Sequence, residues 1–85
     1  MQSQRARVMV IDDEKVVGDM LRIHLTKHGY QVETFLSAGP ALLRLEQEPF
    51  DLIVTDFKMK GMDGMELLKS VKDRYPNIQV IMITA

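Results

Sequence analysis

The 85-residue sequence contains no cysteine, and its charges nearly cancel to a net charge of −1. The absence of cysteine excludes disulfides, a thiolate zinc site and a thiol nucleophile. The balanced charge argues against the basic surface of a nucleic-acid-binding protein. No apolar run approaches the roughly 18–20 residues of a membrane span, and the N-terminal "MQSQRAR" lacks the apolar core of a signal peptide. We therefore expect a soluble, cytoplasmic protein without nucleic-acid or membrane contacts.

Four short apolar runs predict β-strands. The run "QVETF" alternates apolar and polar residues, as an edge strand with one solvated face does. The other three are nearly continuous in Val, Ile, Leu and Met, which is typical of strands buried on both faces. The predicted strands cover residues 7–11, 31–35, 51–55 and 79–84.

Amphipathic patterns between these runs predict three helices. We expect Ser37 to be the N-cap of the second helix, and Asp63 with Glu66 to form a capping box at the third. Gly29 is the expected stop of the first helix. The apolar positions expected in the core are Val17, Met20, Leu21, His24 and Leu25, then Ala38, Ala41, Leu42 and Leu45, then Leu67, Leu68 and Val71.

The strict order β-α-β-α-β-α-β predicts one α/β domain over residues 1–85, with a doubly wound parallel sheet and helices on both of its faces. The fourth strand is then left at a sheet edge, although its run "VIMIT" is apolar enough to be covered. Exposed strand edges pair readily with other chains. We therefore expect this edge to favour a homodimer or a strand-swapped oligomer.

Polar residues end three of the predicted strands. Asp12 and Asp13 follow the first strand, Asp56 ends the third, and Thr84 ends the fourth. Because parallel strands all point the same way, these ends lie along one rim of the sheet, where ligands bind. Three neighbouring carboxylates repel one another, and Mg²⁺ is the simplest cation to neutralise them. A carboxylate beside Mg²⁺ can attack phosphorus, which would give an aspartyl phosphate.

Three motifs in this order resemble the receiver domain of two-component response regulators: "VIDDE" (10–14), "IVTDFKMKGMDGMELL" (53–68) and "VIMITA" (80–85). The resemblance implies a flavodoxin-like, three-layer α/β/α fold with strand order 2-1-3-4. It also implies that the chain lacks the last α-β-α portion of a receiver and is incomplete at the C-terminus. With that portion go the lysine that pairs with the phosphoryl group and the aromatic switch residue of the family.

The resemblance further implies a role for each matching residue. Asp56 is the expected phospho-acceptor and also a Mg²⁺ ligand, Asp13 binds Mg²⁺ directly, and Asp12 acts through a metal-bound water. The backbone carbonyl of Lys58 completes the protein's share of the metal ligands. The expected phosphoryl donor is the phosphohistidine of a sensor histidine kinase or phosphotransfer protein, or a small donor such as acetyl phosphate.

At the fourth strand, the resemblance implies that Thr84 hydrogen-bonds the phosphoryl group and that the small Ala85 leaves access open. Lys60 departs from the family, which commonly has proline at this position of the acceptor loop. We expect Lys60 to change metal affinity and the lifetime of the phosphoryl group. The run "YPNIQVIMITA" is also similar to receivers of transcriptional activators that carry ATPase domains; transcription regulation is one output compatible with this similarity, which does not by itself assign the output.

Simpler interpretations and rival functions stay open at this point. Asp12 and Asp13 also suit a helix start, and Asp63 suits a cap better than a metal ligand. A phosphohydrolase with an aspartate nucleophile usually has its acid/base Asp two residues later, where this sequence has Lys58. An interaction domain that keeps the fold without phosphotransfer is the other alternative. His24 and His28 are spaced for zinc, but the sequence offers no third ligand nearby.

Overall fold

The computed structural model describes residues 5–83, so the predicted site residues Thr84 and Ala85 lie outside the described part of the chain. The predicted alternation of strands and helices is confirmed. Within residues 5–83 no helix has both the length and the apolar content needed to cross a membrane. The elements in chain order are β1 (Arg7–Ile11), α1 (Lys15–Lys27), β2 (Gln31–Phe35), α2 (Ala38–Gln47), β3 (Leu52–Asp56), α3 (Gly64–Arg74) and β4 (Gln79–Ile83).

The four strands form one parallel sheet in the order β2-β1-β3-β4. This is the strand order that the resemblance to receiver domains implied. In the centre of the sheet Val10 lies opposite Thr34 on one side and Val54 on the other. At the carboxyl end of β3, Asp56 lies opposite Ile83 of β4. Asp56 is thus the last residue of a strand that is paired on both sides.

The core has two parts because successive strand residues point to opposite faces of the sheet. On one face Met9 and Ile53 pack with residues of α2 and α3, among them Leu45 and Leu67. On the other face Val8, Val10 and Val54 pack with half-buried residues of α1. The predicted three-layer α/β/α arrangement is therefore confirmed.

The predicted apolar stripe of α1 is only partly buried. Leu21 and Leu25 pack against the sheet, whereas Met20 is 65% exposed and His24 is exposed. The prediction of core positions was wrong for these two residues. Within the described residues no second helix packs beside α1 on its face of the sheet. An apolar groove of about 530 Å³ therefore lies between α1 and Ile83 of β4. The groove is lined by Val17, Met20, Leu21, Ile23, His24, Lys27 and Ile83.

The two edge strands differ in how they meet solvent. β2 is an edge strand, as its alternation predicted. β4 is the other edge, as expected from the order of elements, but it is not buried on both faces: Ile81 is 51% exposed. The prediction from its continuous apolar run was wrong because no described helix covers the face of β4 on which Ile81 lies.

Helix ends follow the sequence closely. Gly29 has a φ of 94° and donates its N–H to Thr26 O, while the N–H of Tyr30 reaches Leu25 O, which is a Schellman motif. Ser37 is the N-cap residue of α2, as predicted, but its side chain makes no capping hydrogen bond. α3 begins with the predicted capping box.

An ion-pair network ties the edge strand β2 to its surroundings. Arg44 of α2 donates from Nε to Glu33 Oε1 at 2.9 Å, and Arg7 of β1 contacts Glu33 at 3.2 Å. Arg7 also donates to Glu48 at 2.8 Å. The hydrogen bond from Arg44 is the main cause that lowers the pKa of Glu33, and the nearby charges of Arg44 and Arg7 add to it.

Candidate functional site

Three carboxylates meet at the carboxyl end of the sheet. β1 and β3 are adjacent and parallel, with Ile11 opposite Thr55, so the residues after these positions emerge side by side. Carboxylate oxygens of Asp12, Asp13 and Asp56 all lie within 4.8 Å of one another. The folding of the sheet thus brings together side chains that are more than 40 positions apart in the sequence.

The three carboxylates differ in burial. Asp12 is buried, with 4% of its surface exposed, Asp56 is half-buried, and Asp13 is exposed. The N–H of Asp12 donates to Phe35 O at 3.0 Å, which fixes its backbone against the end of β2. Its Oδ1 accepts the N–H of Glu14 at 2.8 Å, so the residue also shapes the turn into α1.

The electrostatics of this cluster are those of an uncompensated acidic site. Burial is the main cause that raises the pKa of Asp12, and the charges of Asp56 and Asp13 raise it further. The hydrogen bond from Glu14 N–H opposes this rise. The nearby Lys15 is engaged with Asp19 at 2.8 Å. Across residues 5–83 no salt bridge involves any of the three clustered carboxylates.

These donors fit a hard divalent cation. Mg²⁺ prefers carboxylate, carbonyl and water oxygens and keeps several waters for exchange with phosphate. A cluster with one buried, one half-buried and one exposed carboxylate leaves its solvent side open for such waters. Among the described residues this is also the one group of acidic or histidine side chains with metal-binding spacing.

The acceptor loop between β3 and α3 alternates between core and solvent. Met59 and Met62 are half-buried and pack against the larger core, while Lys58 and Lys60 are exposed. Gly61 has a φ of 89°, a conformation that glycine adopts without strain. The two methionines therefore anchor the loop, and the lysine side chains point away from the protein interior.

Two simpler assignments from the sequence can be settled by contacts. Asp63 caps α3, since its Oδ1 accepts Glu66 N–H at 2.9 Å and its own N–H reaches Glu66 Oε1 at 3.2 Å. The rings of His24 and His28 lie with centroids 4.7 Å apart and their planes tilted by 48°, and His28 Nδ1 lies 3.0 Å from His24 O. Within residues 5–83 they belong to no cluster of three metal-ligating side chains.

Sequence reasoning missed one polar residue at this rim. Thr55 is fully buried, and its Oγ1 donates to the carbonyl oxygen of Asp56 at 3.1 Å. A threonine one position before the last residue of a buried strand was the available signal. Gly64, the first residue of α3, also approaches this strand end closely: its N–H donates to Phe57 O at 2.7 Å.

Comparisons with protein families, curated proteins and solved structures all identify receiver domains or response regulators as similar to this chain. The family model described as the response regulator receiver domain matches residues 8–85. The DNA-binding transcriptional regulator NtrC of Proteus hauseri is 35% identical over 82 residues. That match takes in 96% of this chain but only 17% of NtrC.

Solved structures are similar over nearly the whole chain. A CheY-like response regulator receiver domain protein from Methanospirillum hungatei has 33% identity and a TM-score of 0.92. The match covers 95% of this chain and 65% of that one. The response regulator TrrA of Thermotoga maritima, solved in complex with Mg²⁺-BeF, has 28% identity and a TM-score of 0.89. This second match covers 94% of this chain and 70% of TrrA.

Proposed function

The chain belongs to the response regulator receiver domain family, and we propose that it is a phospho-accepting signalling module in which Asp56 receives a phosphoryl group in a Mg²⁺-dependent reaction. The observation that carries this proposal is the meeting of three carboxylates within 4.8 Å at the carboxyl end of the sheet. A purely structural role does not account for three like charges without a cationic partner in the described chain.

The proposed reaction is a phosphoryl transfer. A carboxylate oxygen of Asp56 attacks phosphorus, a new P–O bond forms, and the P–N bond of the donor phosphohistidine breaks. The imidazole that leaves keeps the bond's electron pair and takes a proton from solvent. With acetyl phosphate as donor the broken bond is P–O and the leaving group is acetate. The product is an aspartyl phosphate.

The other carboxylates would hold the cation. Asp13, which is exposed, binds Mg²⁺ directly, and the buried Asp12 acts through a metal-bound water. Asp56 itself and the backbone carbonyl of Lys58, two residues after the acceptor, are the other proposed ligands. Mg²⁺ would offset the charge of the incoming phosphoryl group. Asp12 would also hold the turn into α1 through its bond to Glu14.

Thr84 and Ala85 complete the proposed site from the end of β4. Their roles rest on the resemblance of "VIMITA" to the family: a hydroxyl that hydrogen-bonds the phosphoryl group, and a small neighbour that leaves access open. Position 58 is lysine rather than a second carboxylate, which favours a stable phospho-acceptor over a hydrolase. In this proposal the module is regulatory and not an enzyme.

We propose that a sensor histidine kinase or a phosphotransfer protein is the donor in the cytoplasm. The similarity to NtrC, which is a transcriptional regulator, supports a transcriptional output for the protein that carries this domain. The domain itself has a nearly neutral net charge, so direct nucleic-acid binding is not part of the proposal.

The exposed edge of β4 supports a second proposed partner, another copy of this chain. Ile81 is 51% exposed on this edge, and strand edges pair with one another through their free N–H and C=O groups. A homodimer or a strand-swapped oligomer would cover it. Sedimentation equilibrium of the purified protein should then show dimers whose population rises with concentration. A monomer over the whole accessible concentration range would contradict this part of the proposal.

The phospho-acceptor proposal is tested by intact-mass measurement after incubation with acetyl phosphate. With Mg²⁺ the wild-type protein should gain one phosphoryl group, and the gain should be lost with EDTA. Asp56→Asn removes the nucleophile at nearly constant size, so it should remain unmodified under the same conditions. Asp73→Asn makes the same charge change at an exposed position of α3 and should behave as wild type. No adduct on wild type would leave the protein as an interaction domain without phosphotransfer.

A further inference from the structure

The first residue of α3 hydrogen-bonds the backbone of the residue that follows the proposed acceptor. The N–H of Gly64 donates to Phe57 O at 2.7 Å, which closes the acceptor loop at its base. The contact places the start of α3 directly against the end of β3. The backbone of Asp56 and Phe57 therefore lies close to the first residue of α3.

Position 64 has no room for a side chain. A Cβ atom on Gly64 would lie 3.0 Å from the carbonyl oxygen of Asp56, 3.0 Å from Phe57 Cα and 3.1 Å from Met82 Sδ. These distances are tighter than ordinary van der Waals contacts of about 3.5–4.0 Å between carbon atoms. Gly64 is not among the glycines with positive φ, so its requirement for glycine is one of space.

Other hydrogen bonds hold both backbone segments at this contact, the end of β3 and the start of α3. Asp56 is paired with Ile83 of β4, and Phe57 N–H donates to Ile83 O at 3.1 Å. On the other side, the reciprocal hydrogen bonds of the capping box fix the first turn of α3. The Met82 side chain can adjust, but the two main-chain contacts can be relieved only if the helix or the strand end moves.

The carbonyl oxygen of Asp56 has a second close neighbour. Thr55 is fully buried and donates its hydroxyl to this oxygen at 3.1 Å. The oxygen thus accepts the Thr55 hydroxyl and also lies close to the position that a side chain on Gly64 would occupy. This main-chain group belongs to the same residue as the proposed nucleophile.

We infer that Gly64 is a positioning residue for the acceptor site, and that the Thr55 hydroxyl supports the same backbone carbonyl. Gly64 sets the position of the Asp56 backbone and hence of its carboxylate relative to the partner carboxylates. It also sets where the chain enters Lys58, whose carbonyl is a proposed metal ligand. The inference rests on the proposed function, because its purpose is to place Mg²⁺ ligands and the nucleophile together.

Gly64→Ala is the direct test. We expect Mg²⁺ affinity, measured by calorimetric titration, to fall about tenfold, as when groups that orient metal ligands are removed. The rate of phosphorylation by acetyl phosphate at saturating Mg²⁺ should fall by about the same factor, because small displacements of reacting groups are costly. Backbone amide NMR signals of residues 56–58 should shift without Mg²⁺ present.

Gly18→Ala is the matched control for this substitution. Gly18 is also buried, but its nearest contact for a new Cβ is Thr34 at 3.8 Å, which is ordinary van der Waals spacing. We expect its Mg²⁺ affinity, phosphorylation rate and amide signals at 56–58 to match wild type. A loss in both alanine variants would indicate a general response to core substitution and would overturn the inference.

A second pair of variants keeps the test open if Gly64→Ala does not fold. Thr55→Val keeps the side-chain shape but removes the hydroxyl, whereas Thr55→Ser keeps the hydroxyl. Weaker Mg²⁺ binding in the valine variant, with near wild-type binding in the serine variant, would support the inference. Equal binding in both would overturn it.

The outcomes also separate this inference from the proposed function. A folded Gly64→Ala protein with wild-type Mg²⁺ affinity and unshifted signals at 56–58 would overturn the positioning role alone. If wild type binds no Mg²⁺, the proposed function fails. Displaced amide signals at 56–58 would then still support the claim that Gly64 positions this backbone, and unshifted signals would overturn it.

Discussion

Neutralising Asp12 should stabilise the protein in the absence of Mg²⁺. Asp12 is buried at 4% exposure, and its carboxylate lies in a cluster whose oxygens are within 4.8 Å of one another. Two unit charges at 4.8 Å repel by about 1 kcal/mol in a water-like dielectric and by about 3.5 kcal/mol at an effective dielectric of 20. Asn at this position can still accept the N–H of Glu14 and can donate to the neighbouring carboxylates.

We expect Asp12→Asn to raise the free energy of unfolding by about 1–2 kcal/mol in EDTA at low salt. This value is closer to the repulsion of about 1 kcal/mol in a water-like dielectric than to the value of about 3.5 kcal/mol, because the cluster opens to water. For a domain of this size each 1 kcal/mol corresponds to a rise of about 4–8 °C in Tm. Circular dichroism melting curves measure this directly. Added salt should reduce the gain, since it screens the partly exposed carboxylates.

The same substitution should reduce the stabilisation that Mg²⁺ gives the folded protein. If Mg²⁺ binds only the folded state, as proposed, wild type should gain stability from it, whereas Asp12→Asn has lost one of the charges that would attract the cation. Asp73→Asn, an equal change of charge on the exposed surface of α3, should stay within about 0.5 kcal/mol of wild type in either condition. The reasoning would be refuted if Asp12→Asn were less stable than wild type in EDTA, or if both gained equally from Mg²⁺.

Three further predictions follow from contacts outside the cluster. The pKa of Glu33 is lowered in the folded protein, so its ion pairs stabilise the fold fully above the usual pKa of 4.5 and cease to do so as the pH falls through the lowered folded value. Arg44→Met should reduce this loss of stability in acid by about 0.2–1 kcal/mol, measured from urea midpoints between pH 7 and pH 2. An unchanged pH profile of stability would contradict this prediction. Gly18→Ala should stabilise α1 by about 0.5–1 kcal/mol, because alanine favours a helix interior and the nearest contact is ordinary, and a fall in Tm would show that the site is tighter than 3.8 Å implies. Gly61→Ala should cost about 1 kcal/mol, because Gly61 has a φ of 89°, and a neutral result would show that the loop relaxes.

The elements that the sequence predicted best are those with local causes. The Schellman ending at Gly29 and the capping box at Asp63 depend on residues only a few positions apart. Ser37 shows the limit of such reasoning, since it occupies the N-cap position but makes no side-chain hydrogen bond. The exposure of Met20 could not be read from helical periodicity, which shows that a stripe is apolar but not how much of it another element covers.

The site divides in the same way. The convergence of Asp12, Asp13 and Asp56 could be expected because adjacent parallel strands end at one rim, a rule of topology that needs no coordinates. The contacts of Gly64 and Thr55 with the Asp56 backbone could not. They depend on how closely α3 approaches β3. Only interatomic distances in the folded protein show that this approach leaves no room for a Cβ atom at position 64.

The measurement that tests the account most directly is the location of the phosphoryl group. After reaction with acetyl phosphate, peptide-level mass spectrometry should place the modification on Asp56, with Mg²⁺ required for its formation. Asp13→Asn should lower the yield strongly at limiting Mg²⁺ without moving the modification. A phosphoryl group that maps to another residue, or that forms on Asp56 equally well in EDTA, would contradict the proposal of a Mg²⁺-dependent aspartyl acceptor.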